Sequence, residues 1–183
     1  MYKKYIKRLF DILISLILIL ILFPAMIIVA ILLFLNLGFP LWNEFREREG
    51  KNKKTFIMYK FRTKKLHNEN LEHAKKYTPF SRVIDRCRLN ELPQLFNVLK
   101  GDMSLVGPRP FIPGEKLPEG EISEKRYLVR PGLTGLAQIN GGRSLTHKQK
   151  LEYDVIYYDN LSFITDAKIV LKTILKIFKI DRK

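Results

Sequence analysis

Apolar residues are distributed along this chain in two different ways. From Ile12 to Leu35 they are continuous: "ILISLILILILFPAMIIVAILLFL" is 24 residues without a charge. Beyond that run they recur at helical or alternating spacing. As one straight helix the run would extend about 36 Å, enough to cross the hydrocarbon core of a bilayer. A buried helix of a soluble domain would be shorter and would carry a polar stripe. A cleaved leader fits poorly, because the run is long and no small-residue cleavage site follows it. Insertion into a membrane is the expectation. Pro24 lies mid-run, where it removes one helical hydrogen bond and crowds the carbonyl of Leu20. A break there predicts two arms of about 12 residues, each about 18 Å long and too short to span. Lys3, Lys4, Lys7 and Arg8 favour a cytoplasmic N-terminus. On the residues alone, a simple span and a hairpin entering and leaving by one face both remain open.

After the run, Gly38 and Pro40 break the helix, and Trp42 falls where an interfacial aromatic would sit. In the basic segment from Arg46 to Lys65, Thr55 to Phe61 predicts a short strand. Most of that segment's lysines suit a solvated or headgroup-facing surface, whereas Lys60 and Arg62 are set among aromatics. His67 to Tyr77 predicts a polar helix. Leu92, Leu95, Phe96 and Leu99 recur at helical spacing and Gly101 stops them. The resulting helix, Asn90 to Lys100, would take Asn90 as its N-cap and hold Pro93 in its first turn. Leu145 to Tyr158 predicts another helix, capped by Ser144 or Thr146, with Leu151, Val155 and Tyr158 on one stripe. A turn follows at residues 160–162. In the last segment Lys168, Lys172, Lys176 and Lys179 run beside Ile169, Val170, Ile174, Ile177 and Phe178. That pattern suits a helix lying on an anionic membrane surface, and equally a helix packed on its own domain. The expected division is residues 1–38, a basic flank and membrane segment, and residues 39–183, a second unit.

Composition narrows the partners. The 183 residues are 46% hydrophobic, enough for a core, and carry 33 Lys and Arg against 18 Asp and Glu, for a net charge of +15. Such a surplus points to nucleic acid, an anionic membrane surface or a phosphorylated substrate. No helix-turn-helix, zinc module or RNA-binding sheet motif is present, so no nucleic-acid partner is expected. The single cysteine, Cys87, excludes an intrachain disulfide and fits a reducing compartment. The three histidines lack metal-ligand spacing, which argues against structural zinc.

Candidate chemistry concentrates in "CRLNELPQLFNVLKGDMSLVGPRP", Cys87 to Pro110. Arg109, between Pro108 and Pro110, sits in a stiff loop and suits bidentate pairing with a phosphate. Lys60 and Arg62 would offset the charge of a diphosphate. Beside Arg130, Gly132 and Gly135 either let backbone N–H groups approach a ligand or simply make turns. Magnesium takes one or two carboxylates plus substrate phosphate, and Glu91 and Asp154 are the candidates. For Asp154 a salt bridge on a helix surface is the alternative.

These residues carry a resemblance. "LNELPQLFNVLKGDMSLVGPRP", with "MYKFRT" before it and "VRPGLTGLAQINGG" and "LEYDVIYY" after it, resembles the bacterial sugar transferases, the monotopic polyprenol-phosphate phosphoglycosyl transferases. The likeness covers Lys3 to about Phe178 and keeps the motifs in order. It implies an α+β, predominantly helical fold: a re-entrant membrane helix-break-helix bent at Pro24, and a small cytoplasmic catalytic domain with short strands and amphipathic interfacial helices. It implies transfer of a sugar-1-phosphate from a UDP-sugar to polyprenol phosphate with Mg²⁺, at the inner face of the bacterial cytoplasmic membrane. The product would start polysaccharide or glycoconjugate assembly. Membrane lipids and a second copy, as a homodimer, are the further partners expected. The resemblance adds Thr134 and Gln138 to Lys60, Arg62, Arg109, Arg130, Gly132 and Gly135 as phosphate or nucleotide contacts.

In such enzymes an Asp-Glu dyad does the chemistry. The Asp attacks the sugar-linked phosphate, UMP leaves, and the lipid phosphate attacks the phosphoryl-enzyme. Here the dyad falls on Asn90 and Glu91, and a neutral amide is a poor nucleophile at phosphorus. Asp85 also stands where the family often has Arg. Three explanations stay open: a natural enzyme that uses Glu91 or transfers directly between phosphates, an engineered substitution that traps substrate, or a relative that binds without turnover.

Overall fold

The computed structural model describes residues 2–42, 47–66, 76–115 and 124–180. It is mostly helical. The long helix α1 (Lys7–Leu37) follows a π-helical turn at Tyr2–Ile6 and ends at Gly38, whose φ of 67° lets its N–H reach the carbonyl of Phe34. Pro24 lies inside α1 and the helix is continuous across it, so the interruption expected at Pro24 is not found. Loss of one hydrogen bond among so many leaves both flanking segments helical, because each packs on the rest of the chain.

The inward stripe of α1 is Lys7, Asp11, Ser15, Ile19, Met26, Val29 and Leu33, at helical spacing. Its outward face stays aliphatic and exposed, as at Leu20, Ile21, Ile28 and Leu35. This inverts the ordinary surface helix, and α1 is long and apolar enough to cross a membrane by length and composition. Its N-terminal polar residues are all engaged. Lys7 Nζ pairs with Asp166 at 2.7 Å, and Arg8 caps the carbonyls of Val98 and Leu99. Asp11 accepts from the Ser104 hydroxyl and the Leu105 N–H, each at 3.0 Å.

The strands are short. β1 (Glu47–Glu49) and β2 (Thr55–Ile57) form an antiparallel hairpin, Arg48 opposite Phe56. The strand expected through Phe61 therefore ends early; residues 58–60 leave the ladder, and Phe61 bridges Trp42, with the two rings stacked. α2 (Pro79–Arg86) is capped by Thr78. A 3₁₀ turn (Leu89–Glu91) leads into α3 (Gln94–Lys100), which starts at Pro93 with no side-chain cap. The expected N-cap at Asn90 is thus corrected. Arg88, at φ 61°, turns the chain before Asn90, and helical backbone bonds take over only from Pro93. β3 (Ser104–Val106) pairs in parallel with β4 (Gly132–Thr134).

α4 (Leu136–Ile139), α5 (His147–Asp159) and α6 (Phe163–Ile180) complete the chain. Thr146 caps α5 in a capping box with Gln149. Its buried stripe is Leu151, Asp154 and Tyr157, one residue out of step with the expected Val155 and Tyr158. Asp166 joins three helices: its carboxylate meets Lys7, Tyr2 and the Tyr157 hydroxyl. α6 buries Ile169 and keeps Ile164, Leu171, Ile174 and Leu175 exposed beside Lys168 and Lys172. Most of the polar helix expected over 67–77, and the side chains of Ile177, Phe178 and Lys179, lie outside the description.

Candidate active site

The site is built where the 3₁₀ turn meets the segment after β2. Asn97, fully buried on α3, accepts from the Tyr59 N–H at 2.9 Å and donates to the Ile57 carbonyl at 2.7 Å. The Phe61 N–H bonds the Asn90 carbonyl at 3.0 Å. Lys60, held between these two fixed points, has its ammonium 3.1 Å from Glu91 Oε1 and 3.8 Å from Asp85 Oδ1. Arg88 reaches the same Glu91 oxygen at 2.8 Å. Burial alone would raise the Glu91 pKa, but Lys60, Arg88 and Arg109 outweigh it and hold Glu91 below the usual carboxylate range.

Asn90 has no exposed surface. Its Nδ2 donates to Asp85 Oδ1 at 2.8 Å and lies 3.5 Å from Thr63 Oγ1, while its Oδ1 has no partner. The reverse amide orientation would set an acceptor against a carboxylate. Asn90 therefore acts as a donor aimed at Asp85.

In front of these groups opens a cavity of about 290 Å³. Lys60, Asp85, Glu91, Arg109 and Gly132 line it, together with Arg48, Lys64, Tyr77, Gln94 and Arg143. Burial lowers the Arg109 pKa, Arg88 and Arg143 lower it further, and Glu91 opposes the shift. The chemistry of the wall is that of an anion site: clustered cations around one or two carboxylates.

Other expected site residues lie elsewhere. Arg62 is buried with its guanidinium bonded to the carbonyls of Leu37, Gly38, Pro40 and Lys64, so it fastens the end of α1. Arg130 donates to the Gly101 carbonyl at 2.7 Å, at the C-terminal end of α3. Thr134 bonds Thr173 on α6, and the side-chain amide of Gln138 is tucked in without a partner. Gly135 and Gly132, the latter still at the cavity wall, serve close backbone packing, since a Cβ on either would strike Gly107. Asp154 is buried 3.7 Å from Arg126, away from the cavity wall. Burial pushes its pKa up to about 7, with Arg126 pulling the other way. Arg126 in turn donates to the Arg109 carbonyl and stacks on Phe111, which braces the Arg109 loop. Among the described residues no cluster of three or more His, Cys, Asp or Glu is placed to hold a metal.

Sequence reasoning passed over Asn97, Arg126, Arg143, Arg48 and Lys64. For Asn97 a signal existed: Asn90, Gln94 and Asn97 form a buried polar stripe beside the apolar one. The loop cations carry no such pattern.

Comparison with known proteins supplies the family. The family model for bacterial sugar transferases matches residues 2–180. The sugar transferase EpsL of Bacillus subtilis, described as uncharacterized, is 38% identical over 94% of this chain and 87% of its own. An undecaprenyl-phosphate glucose phosphotransferase of Komagataeibacter xylinus is 38% identical over 92% of this chain and 35% of its own. A UDP-N-acetylgalactosamine-undecaprenyl-phosphate N-acetylgalactosaminephosphotransferase of Aeromonas hydrophila is 37% identical over 93% of this chain, which spans 43% of that protein. The last two relatives are thus more than twice as long as the region they share with this chain. With its motifs in order and the match running nearly end to end, the chain belongs to the bacterial sugar transferase family, a family of enzymes.

Proposed function

We propose that this protein transfers a sugar-1-phosphate from a UDP-sugar to polyprenol phosphate at the cytoplasmic face of the bacterial inner membrane, starting a polysaccharide or glycoconjugate. One observation carries the reading: a cavity walled by Lys60, Arg109 and Arg143 around Glu91 is built in part on the turn Leu89–Glu91 and on α2, and both pack against α1, whose outer face is aliphatic. The cations suit two phosphates, one on a soluble donor and one on a lipid. The name of the Aeromonas relative specifies both a UDP-sugar and undecaprenyl phosphate, and that of the Komagataeibacter relative specifies undecaprenyl phosphate and glucose.

Magnesium fits Glu91 better than Asp154. Among the described residues both side-chain partners of Glu91 fall on Oε1, which leaves Oε2 for a cation shared with substrate phosphate. Bound there, the ion would neutralise charge developing on the diphosphate. Lys60, Arg109 and Arg143 orient the donor and stabilise the leaving UMP. The long helix α1 is read as keeping both ends on one membrane face, because Arg8 at one end and Leu37 and Gly38 at the other bond the same folded unit.

A panel of nucleotide sugars tests this by UMP release, with and without polyprenol phosphate and Mg²⁺, on the native chain and on Asn90→Asp. Release from a UDP-sugar that depends on Mg²⁺ supports the proposal. No release from either chain with any donor overturns it. The buried neutral amide of Asn90 favours one second reading, a family member that binds without turnover. Release by Asn90→Asp alone would establish that reading.

A further inference from the structure

We propose that Asp85 is the catalytic nucleophile of this chain, taking the role that Asn90 is chemically unable to fill. The proposal rests on the transferase reading above and names the group that attacks phosphorus.

Four observations converge on Asp85. It lines the cavity, with its side chain 24% exposed, whereas Asn90 is fully buried behind it. Among the described residues its side-chain hydrogen bonds all fall on Oδ1, from Asn90 Nδ2 at 2.8 Å and Thr63 Oγ1 at 3.3 Å. This fixes the carboxylate and leaves Oδ2 as the attacking oxygen. Both donors are neutral, so they orient the carboxylate without drawing off much of its charge. Lys60 is 3.8 Å away, beyond hydrogen-bond range, yet close enough to receive a phosphate oxygen beside Oδ1.

Glu91, the other carboxylate lining the cavity among the described residues, is less suited to attack. Its Oε1 is gripped by two full cations, Lys60 at 3.1 Å and Arg88 at 2.8 Å. Charge-assisted bonds of that kind make a good ligand and a weak nucleophile. Asn90 is then a positioning residue. An amide is required there because a second carboxylate 2.8 Å from Asp85 would force the two to share a proton.

In the proposed step Asp85 Oδ2 bonds to the sugar-bearing phosphorus of the UDP-sugar. The bond from that phosphorus to the bridging oxygen breaks, and its electron pair leaves with UMP. An oxygen of polyprenol phosphate then attacks the same phosphorus. The Asp85–phosphorus bond breaks, and the carboxylate is regenerated.

The test is a single-turnover reaction of the full-length, detergent-solubilised chain with the UDP-sugar that supports turnover. Borohydride quenching converts an aspartyl phosphate to homoserine, and trypsin places residues 83–86 and residues 89–100 on separate peptides. The expected results are a stoichiometric UMP burst without lipid acceptor and homoserine at position 85. Asp85→Asn, isosteric and checked for cooperative melting, should lose the burst and reduce turnover by about a thousandfold or more. Asn90→Asp should release UMP more slowly than the native chain. Reduction at Glu91, or turnover with acceptor but neither burst nor homoserine, overturns the Asp85 step and leaves the transferase reading intact. A gain of activity in Asn90→Asp also overturns it. Absence of UMP release from every variant and donor overturns the transferase reading itself, and the Asp85 step with it.

Discussion

Asn97 is fully buried and uses both ends of its amide, holding Tyr59 by the N–H and Ile57 by the carbonyl, so that Lys60 faces Glu91. Asn97→Ala leaves two backbone groups unpaired. Each such group costs about 1–3 kcal/mol, so the urea midpoint should fall by an amount equivalent to about 3 kcal/mol. UMP release should fall as well, because Lys60 loses its register. Asp154 makes a different prediction. Its folded pKa of about 7 lies above the ordinary 3.8, because burial outweighs Arg126. Between those two pH values the folded protein keeps a proton that the unfolded chain releases, so stability is greatest at the acid end and declines as pH rises. Asp154→Asn should flatten that decline, read as the melting temperature across the same window. At this scale the sequence singled out Glu91, Lys60 and Arg109, which the structure brings together on the cavity wall. It misplaced Asn90 and Arg62. An Asn before an apolar run looks like a cap, and an Arg among aromatics looks like a ligand contact, until backbone carbonyls take it.

Among the elements, the seam between β3 and β4 shows why short motifs mislead. Gly107, Gly132 and Gly135 bring backbones so close that a Cβ on any of them meets main-chain atoms. Gly132 also lines the cavity, so the same closeness sets the cavity's rear wall. Gly132→Ala should therefore destabilise by about 3 kcal/mol, at the upper end of ordinary overpacking costs, and should enlarge or tilt the cavity. Thermal unfolding and the KM for the UDP-sugar measure the two effects separately. Three-residue strands give few alternations, so β2 was expected, from Thr55, whereas β1, β3, β4 and both pairings were missed. The long helix α1, α5 with its Thr146 cap and the amphipathic α6 were legible, since each repeats its pattern over several turns. Periodicity did not reveal that α1 stays helical through Pro24. That outcome depends on packing along its whole inward stripe, a tertiary effect no local window contains.

At the scale of the molecule, the two ends of α1 constrain how a membrane can meet it. A straight helix from Arg8 to Leu37 is about 44 Å long. Arg8 caps α3 at one end, Arg62 grips the Leu37 and Gly38 carbonyls at the other, and Asn36 bonds Thr78. Suppose such a helix crossed the bilayer. The folded unit tied along it would then carry the Lys7–Asp166 pair and the cation-lined cavity into hydrocarbon. Moving ions there costs several kcal/mol each. Immersing only the outward aliphatic face avoids that cost. This face continues onto α6, since Phe10 of α1 packs against Phe163 at 5.3 Å and the exposed Ile164 and Leu171 follow. The proposed topology therefore keeps both ends of α1 on one side. Cys87, exposed and the only cysteine, reports on the folded unit. In a Cys87→Ser background, Lys3→Cys reports on the N-terminal end. A membrane-impermeant maleimide should label both reporters in inverted vesicles and neither in intact spheroplasts. Opposite labelling of the two would mean that α1 spans, and the bonds at one of its ends would then have to break in the membrane.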